Sequence, residues 1–468
     1  MATVSGPVAR WGLESYPGVS TADALADQQP TGGSTPLTAN GVTFTDKQRI
    51  VGANAATLDG SSDLATSGPV VDTTRSYGVA AWVRLDNTTG SQSIVAQGGA
   101  FQLRLHGAGA ADRSFCFVVG SPEAPSACGV NTAVVGRWTH VAGAFDAAEK
   151  KVRVWVDGVL KQESPAPEVS AASDSVLRIG DRLAGAVADV QVFDRALVSE
   201  DFTGDVTDPA DAVEAERGIL HPVEVARWTF EDAVECYDPT IADTCQEPDG
   251  TQFGRQLTFT KGVTIGNGPT GGFGVFDDDF PDDSSITTRE YGRSQRNAVD
   301  TPVLRTDQSF TVTVAVHVDS VNTTMTAVAP KGAKQSAFYL GTRLSTVDSV
   351  AGQRFEIMVP SVDADTGETY THVIAPEALG ADDAGAWHQL TVVYDAGSRT
   401  MKLYVNGALK NSAVLATGLW NATGPMIVGN SWYTGDNGAG HFTDSWFGGI
   451  DDVQVYQGAM TDAQVAAL

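Results

Sequence analysis

The chain has 468 residues, 57 of them acidic and 30 basic, for a formal net charge of −27 at pH 7. That charge disfavours nucleic-acid backbones, where affinity comes from Lys and Arg displacing counterions. No run approaches 18 uninterrupted apolar residues, so no membrane-spanning helix is predicted, while 42 % hydrophobic residues supply material for two or three cores.

The first residues, MATVSGPVARWG, show no basic stretch followed by an apolar core, so no secretory leader is read there. The segment VARWGLE (Val8–Glu14) opens a series of strands. SYGVAAWVRLD (Ser76–Asp86) is rich in β-branched residues, and KVRVWVDG (Lys151–Gly158) alternates and ends in Asp-Gly, a dipeptide that favours tight hairpin turns. Cys116 and Cys128 flank GSPEAPSA, a turn-like segment that reads as a hairpin tip. After Ala188–Phe202, Ser199 is expected to cap one short turn, and DPADAVEAERG (Asp208–Gly218) reads as a short linker helix stopped by Gly218.

The chain then repeats itself. VARWGLE returns as VARWTFE (Val225–Glu231), Gly136–Leu160 returns as Gly385–Leu409, and Ala188–Phe202 returns as Asp451–Val465. Trp11 answers to Trp228, Trp138 to Trp387 and Asp189 to Asp452, in unchanged order, with insertions in the second copy. SFTVTVAVHVD (Ser309–Asp319) and MKLYVNG (Met401–Gly407) are its strands, and Thr461 is expected to cap a last short turn. Regular strands with turn signals and little helical periodicity predict an all-β chain of two tandem antiparallel β-sandwich jelly rolls. The expected boundaries are 1–206 for the first, 207–221 for the linker and 222–468 for the second.

These motifs resemble the laminin-G-like family of concanavalin A-type jelly rolls. The resemblance rests on ARWGLE and ARWTFE, on Trp138-Thr139-His140 through Asp157-Gly158 with Trp387-His388 through Asn406-Gly407, and on the closing strands Gly185–Phe193 and Gly449–Tyr456. It covers nearly all of both copies. It implies a binding or spacing role, since such domains bind glycans, proteins or lipids, or separate other domains. It also implies a structural calcium joining the first strand to the last, with Asp189, Glu14 and Asp59 as its ligands in one copy and Asp452, Glu231 and Asp277 in the other. Calcium wants several oxygen ligands; the alternative is a set of solvated turn carboxylates.

Trp11, Trp138, Trp155, Trp228 and Trp387 sit among apolar strand neighbours and read as core. Neither copy carries two carboxylates spaced along one strand as a retaining glycosidase needs, and no G-x-S-x-G elbow is present, so no catalytic residue is assigned. GNGPTG (Gly266–Gly271) matches a dinucleotide pattern but lacks a following helix. DADTGE (Asp363–Glu368) resembles half of a calcium loop, yet Ile374 stands where its last ligand should be, and a hairpin turn explains it better. The N-x-T sequences at Asn87, Asn322 and Asn421 matter only in a eukaryotic secretory route.

The most suggestive segment for binding is Asn430–Trp446, where the first copy has only DRLA. Trp432, Tyr433, Asp436, Asn437, His441 and Trp446 are its candidate ligand-binding residues. Aromatic faces stack on sugar rings while Asp and Asn meet hydroxyls, and loops on rigid scaffolds commonly carry recognition; the alternative is that the tryptophans pin the loop. Cys116 with Cys128, and Cys236 with Cys245, are read as two local disulfides, hence an oxidising compartment. The expectation is a non-catalytic, secreted or cell-surface binding region of a larger bacterial protein, monomeric, recognising a glycan or a cell-surface protein. A structural spacer is the alternative and a glycoside-active enzyme the weakest. The acidic surface favours a neutral or cationic ligand.

Overall fold

The computed structural model describes residues 6–29, 35–109, 112–120, 126–166, 172–203, 218–233, 246–260, 262–268, 271–276, 290–435 and 440–468. The expected linker helix over Asp208–Gly218 lies outside the described residues except at Gly218. The chain divides into two compact units, Met1–His221 and Pro222–Leu468.

In the first unit one sheet runs, edge to edge, through Val159–Pro165, Lys151–Val156, Trp138–Asp146, Tyr77–Leu85, Ala184–Phe193, Asn54–Asp59 and Glu14–Ser15. The facing sheet runs through Ser126–Gly129, Asp112–Val119, Phe101–Gly109, Gln92–Gln97, Leu177–Ile179, Asp63–Ala65 and Thr38–Asn40. All pairs between these strands are antiparallel. Val79, Ala81 and Val83 point between the sheets, where Tyr77 meets Phe101 and Phe145 at ring distances of 4.9 and 5.5 Å. Ala80 and Trp155 point the other way, under Phe202 from the short helix Glu200–Thr203.

The second unit repeats the plan. One sheet orders Thr264–Gly268, Gly271–Phe276, Gly448–Gln457, Phe310–His317, Trp387–Asp395, Thr400–Val405 and Ala408–Val414. The other passes through Gln256–Phe259, Gly292–Arg296, Met426–Val428, Met325–Pro330, Tyr339–Val347, Val350–Pro360 and Tyr370–Ile374. Gly266 and Gly268 lie in a strand hairpin, so GNGPTG is no nucleotide loop. Thr461 caps the helix Asp462–Ala466 as expected, its hydroxyl accepting from the Gln464 N–H. The helix Thr21–Leu25, capped by Ser20, was not foreseen in the sequence.

The duplication is written in the backbone. Left-handed φ values fall at Asp157-Gly158 (50° and 74°) and at Asn406-Gly407 (52° and 73°), the geometry that two-residue hairpins favour. They also recur at Leu13 and Phe230 (57° and 60°) and at Asp189 and Asp452 (43° and 45°), where β-bulges interrupt the last strand. Trp11, Trp155 and Trp228 are fully buried and Trp138 nearly so, as expected, whereas Trp387 is half-exposed. Cys116 and Cys128 stand directly opposite on paired strands and form a disulfide. Cys236 and Cys245 lie outside the described residues.

Candidate functional site

The inserted segment of the second unit forms a small hairpin, Ser431–Tyr433 against His441–Thr443, which pairs Trp432 with Phe442 and Tyr433 with His441. Neighbouring residues of a strand face opposite ways. Trp432 and Phe442 therefore share one face, rings 5.1 Å apart, while Tyr433 and His441 share the other at 6.1 Å. Trp432 and Tyr433 are half-exposed and His441 is exposed. Asp436 and Asn437 lie outside the described residues.

The hairpin is tied to the turn at 331–337. The Trp432 N–H donates to Ser336 Oγ (3.0 Å), and the Trp432 carbonyl accepts from the Ser336 N–H (3.0 Å) and the Tyr339 hydroxyl (3.2 Å). That turn is held in its own right by Asp363, whose carboxylate accepts from the backbone N–H groups of Ala333, Lys334 and Gln335 at 2.8, 2.7 and 3.1 Å. The side chain of Gln335 donates to the Val362 and Ala364 carbonyls, and Lys334 pairs with Asp365 at 3.0 Å. DADTGE is thus the hairpin turn expected, between the paired strands Val350–Pro360 and Tyr370–Ile374, and Asp363 faces amides rather than a cation.

Trp446 does not join the candidate surface. It is 0 % exposed, its indole N–H donates to the His317 carbonyl at 3.2 Å, and its backbone N–H donates to the Gly429 carbonyl at 2.9 Å. Its counterpart in the first unit is Leu183, equally buried, whose N–H points to Gly180. The insertion is therefore an excursion between two core anchors, and the expectation that Trp446 contacts ligand is corrected.

Sequence reasoning missed two members of the cluster around Trp432 and Phe442. The Lys331 ammonium lies 3.9 Å from the Trp432 ring centre and 5.9 Å from that of Phe442, and Tyr291 stacks on Phe442 at 3.9 Å. Tyr291 and Lys331 are distant in the chain and no local pattern marks them; Phe442 was visible as one more aromatic of the loop.

A family model described as the concanavalin A-like lectin/glucanases superfamily, of laminin-G type, matches residues 58–202 and 292–466, one stretch in each copy. The chain belongs to that superfamily. Solved structures similar to it include domain 4 of AbnA, an extracellular arabinanase from Geobacillus stearothermophilus, in complex with arabinotriose, at 15 % identity over 53 % of this chain and 98 % of that one, TM-score 0.34. The botulinum neurotoxin serotype D binding domain matches at 10 % identity over 90 % of this chain and 93 % of that one, TM-score 0.35. The sialidase carbohydrate-binding module of Ruminococcus gnavus, bound to α2,3-sialyllactose, matches at 14 % over 34 % and 82 %, TM-score 0.26. No curated relative matches.

The calcium that the superfamily resemblance implies finds no group of three or more His, Cys, Asp or Glu side chains placed to hold it among the described residues. In the first unit the expected ligands are engaged by two arginines and by turn amides. Asp189 is held by Arg10 Nε at 2.7 Å and by the Gln191 amide at 3.1 Å. Burial pushes its carboxyl up, but the charges of Arg10 and Arg49 outweigh that and leave it below the usual range. Glu14, 4 % exposed, takes Arg49 Nε at 3.0 Å and Nη2 on the same oxygen and leaves Oε1 without a partner, and burial still holds its carboxyl above the ordinary value. Asp59 lies elsewhere, opposite Ala184, closing its own turn by accepting from the N–H groups of Ser61 and Ser62. Those bonds bring its carboxyl down to about 2. Two guanidinium groups stand where a cation was expected.

The second unit is different. Arg227, the counterpart of Arg10, turns to Glu224 at 2.7 Å instead of Asp452. Glu247, 2 % exposed, accepts the Phe230 and Thr229 N–H groups on one oxygen and leaves Oε2 without a partner. Burial pushes Glu247 and Asp451 up to about 7, and Asp452 is raised by burial and by the charge of the exposed Glu231. Asp277 lies outside the described residues.

Proposed function

We propose that the chain is a non-catalytic binding region that recognises a carbohydrate or a carbohydrate-bearing surface through the inserted hairpin of its second unit. One observation carries the reading: the hairpin, absent from the first unit, presents half-exposed Trp432 beside Phe442 on a mount fixed by Asp363 and Ser336. A rigid scaffold with an aromatic surface and few polar groups is the common form of a sugar site. Membership of a lectin and glucanase superfamily supports the substrate class without naming the sugar. No catalytic pair is assigned, and a secreted or cell-surface setting accords with the Cys116–Cys128 disulfide. No helix among the described residues is long and apolar enough to cross a membrane.

On this reading a calcium serves the second unit. Asp452, Glu231 and Asp277 would hold it, and the unpartnered Glu247 oxygen and the buried Asp451, which feels the charges of Asp452 and Glu231, are what a cation would relieve.

The test is a glycan array in calcium, with every positive repeated in chelator and with Trp432→Ala. Saturable binding lost in the variant, with the fold intact by circular dichroism, is the expected result. A folded protein that binds no glycan would sink the reading and leave recognition of a protein partner, to be sought by pull-down against surface proteins of the source cell.

A further inference from the structure

Lys331 stands apart from the other charged side chains around it. In a chain with nearly two carboxylates for each cation, Lys334, Lys402 and Lys410 of the same unit each touch one, at 3.0, 2.7 and 3.1 Å. Among the described residues Lys331 touches none. The carboxylate whose charge it feels, Asp300, is already held by the Gln295 amide at 2.8 Å and lies 3.5 Å from Arg293. Its ammonium instead rests on Trp432 and against Phe442, half-buried, with no hydrogen-bond acceptor among the described residues. Cation–π contact satisfies the charge in part but none of the three N–H donors.

We propose that Lys331 supplies the counter-charge for an acidic saccharide, one bearing a carboxylate or sulfate, whose apolar ring edge packs on Trp432 and Phe442. The inference deepens the proposed function and rests on the Trp432 surface being the sugar site. The net charge of −27 does not oppose it at short range, because screening at physiological salt reduces charges beyond about 8 Å to a weak background. Near the site the charges acting on Lys331 are Asp300 and Arg293, of opposite sign, so the ammonium adds a positive charge to a nearly balanced pair. A charge-assisted hydrogen bond between this ammonium and a carboxylate is stronger than any bond it makes in the free protein, and it adds discrimination that stacking alone lacks.

The experiment is titration calorimetry of the full chain with oligogalacturonate, with the neutral galacto-oligosaccharide of the same length, and with an acidic peptide. Wild type, Lys331→Met, Lys331→Arg and Trp432→Ala are compared. The expected result is that the acidic sugar binds more tightly than the neutral one, that Lys331→Met loses about tenfold for the acidic sugar alone, and that Lys331→Arg keeps most of it. Neutral sugar bound as well as acidic, or Lys331→Met binding more tightly, overturns the inference while the Trp432-dependent sugar site survives. An acidic peptide bound through Lys331 in preference to either sugar overturns it in favour of a protein ligand. No binding of either sugar by wild type overturns the inference, while the glycan array separately decides the proposed function.

Discussion

At the scale of single residues, His140 has the clearest consequence. It is buried between the rings of Trp82 and Phe202, at 5.2 and 5.8 Å, with Nδ1 unpartnered. Burial pushes its imidazole down to about 3; Asp189 pulls it up and Arg49 pushes it further down. The folded state therefore keeps His140 neutral while the unfolded chain takes up a proton below about pH 6.5. Protons bind the unfolded state preferentially across that window, so stability falls as pH drops from about 6.5 towards 3, by on the order of 5 kcal/mol in all. His140→Phe, which keeps the ring contacts, is expected to flatten this part of the curve. The check is the urea midpoint of the first unit's transition at pH 7, 5 and 4, and parallel curves for the two proteins would remove His140 as the cause.

At the scale of elements, the mount beneath the hairpin depends on one carboxylate. Asp363 receives three successive backbone N–H groups of the turn that carries Trp432, and Asp363→Ala leaves them without that acceptor. The expected result is faster hydrogen exchange at Ala333, Lys334 and Gln335, with a loss of about 1–3 kcal/mol in local opening free energy. Unchanged protection at those amides would mean that the turn holds itself.

What was legible at this scale follows the range of the interactions. The Asp157-Gly158 and Asn406-Gly407 turns were readable because the left-handed backbone they adopt selects those residue types locally. The cap at Thr461 was readable for the same reason. Trp446 was misjudged because a Gly-rich, aromatic insertion hides its register with Leu183. The pairing of Arg10 with Asp189 joins opposite ends of the first unit, and Lys331 meets Trp432 across a hundred residues of chain; no sequence period encodes either contact.

At the scale of the whole molecule, the two copies share a plan but not their supports. The first unit ties its strands with the Cys116–Cys128 bridge and with Arg10 and Arg49, while the second keeps acidic groups at the positions answering to those arginine-held carboxylates. Closing a loop of 12 residues constrains the unfolded chain by about 3 kcal/mol. The double substitution Cys116→Ser, Cys128→Ser is therefore expected to lower one calorimetric transition by several degrees and leave the other in place. Two transitions lowered together would show that the units unfold as one.

The insertion has a consequence for how such a chain changes over generations. It departs after Gly429 and rejoins at Trp446, where the first unit departs after Gly180 and rejoins at Leu183, and both glycines hold left-handed backbone, at 82° and 94°. The sandwich thus offers a socket with two fixed terminals. Whatever peptide is plugged between them can be rewritten, lengthened or cut back to two residues while the buried anchors Leu183 and Trp446 keep their places in the sandwich. One copy of the duplication is then free to be an heirloom, and the other free to acquire new tastes.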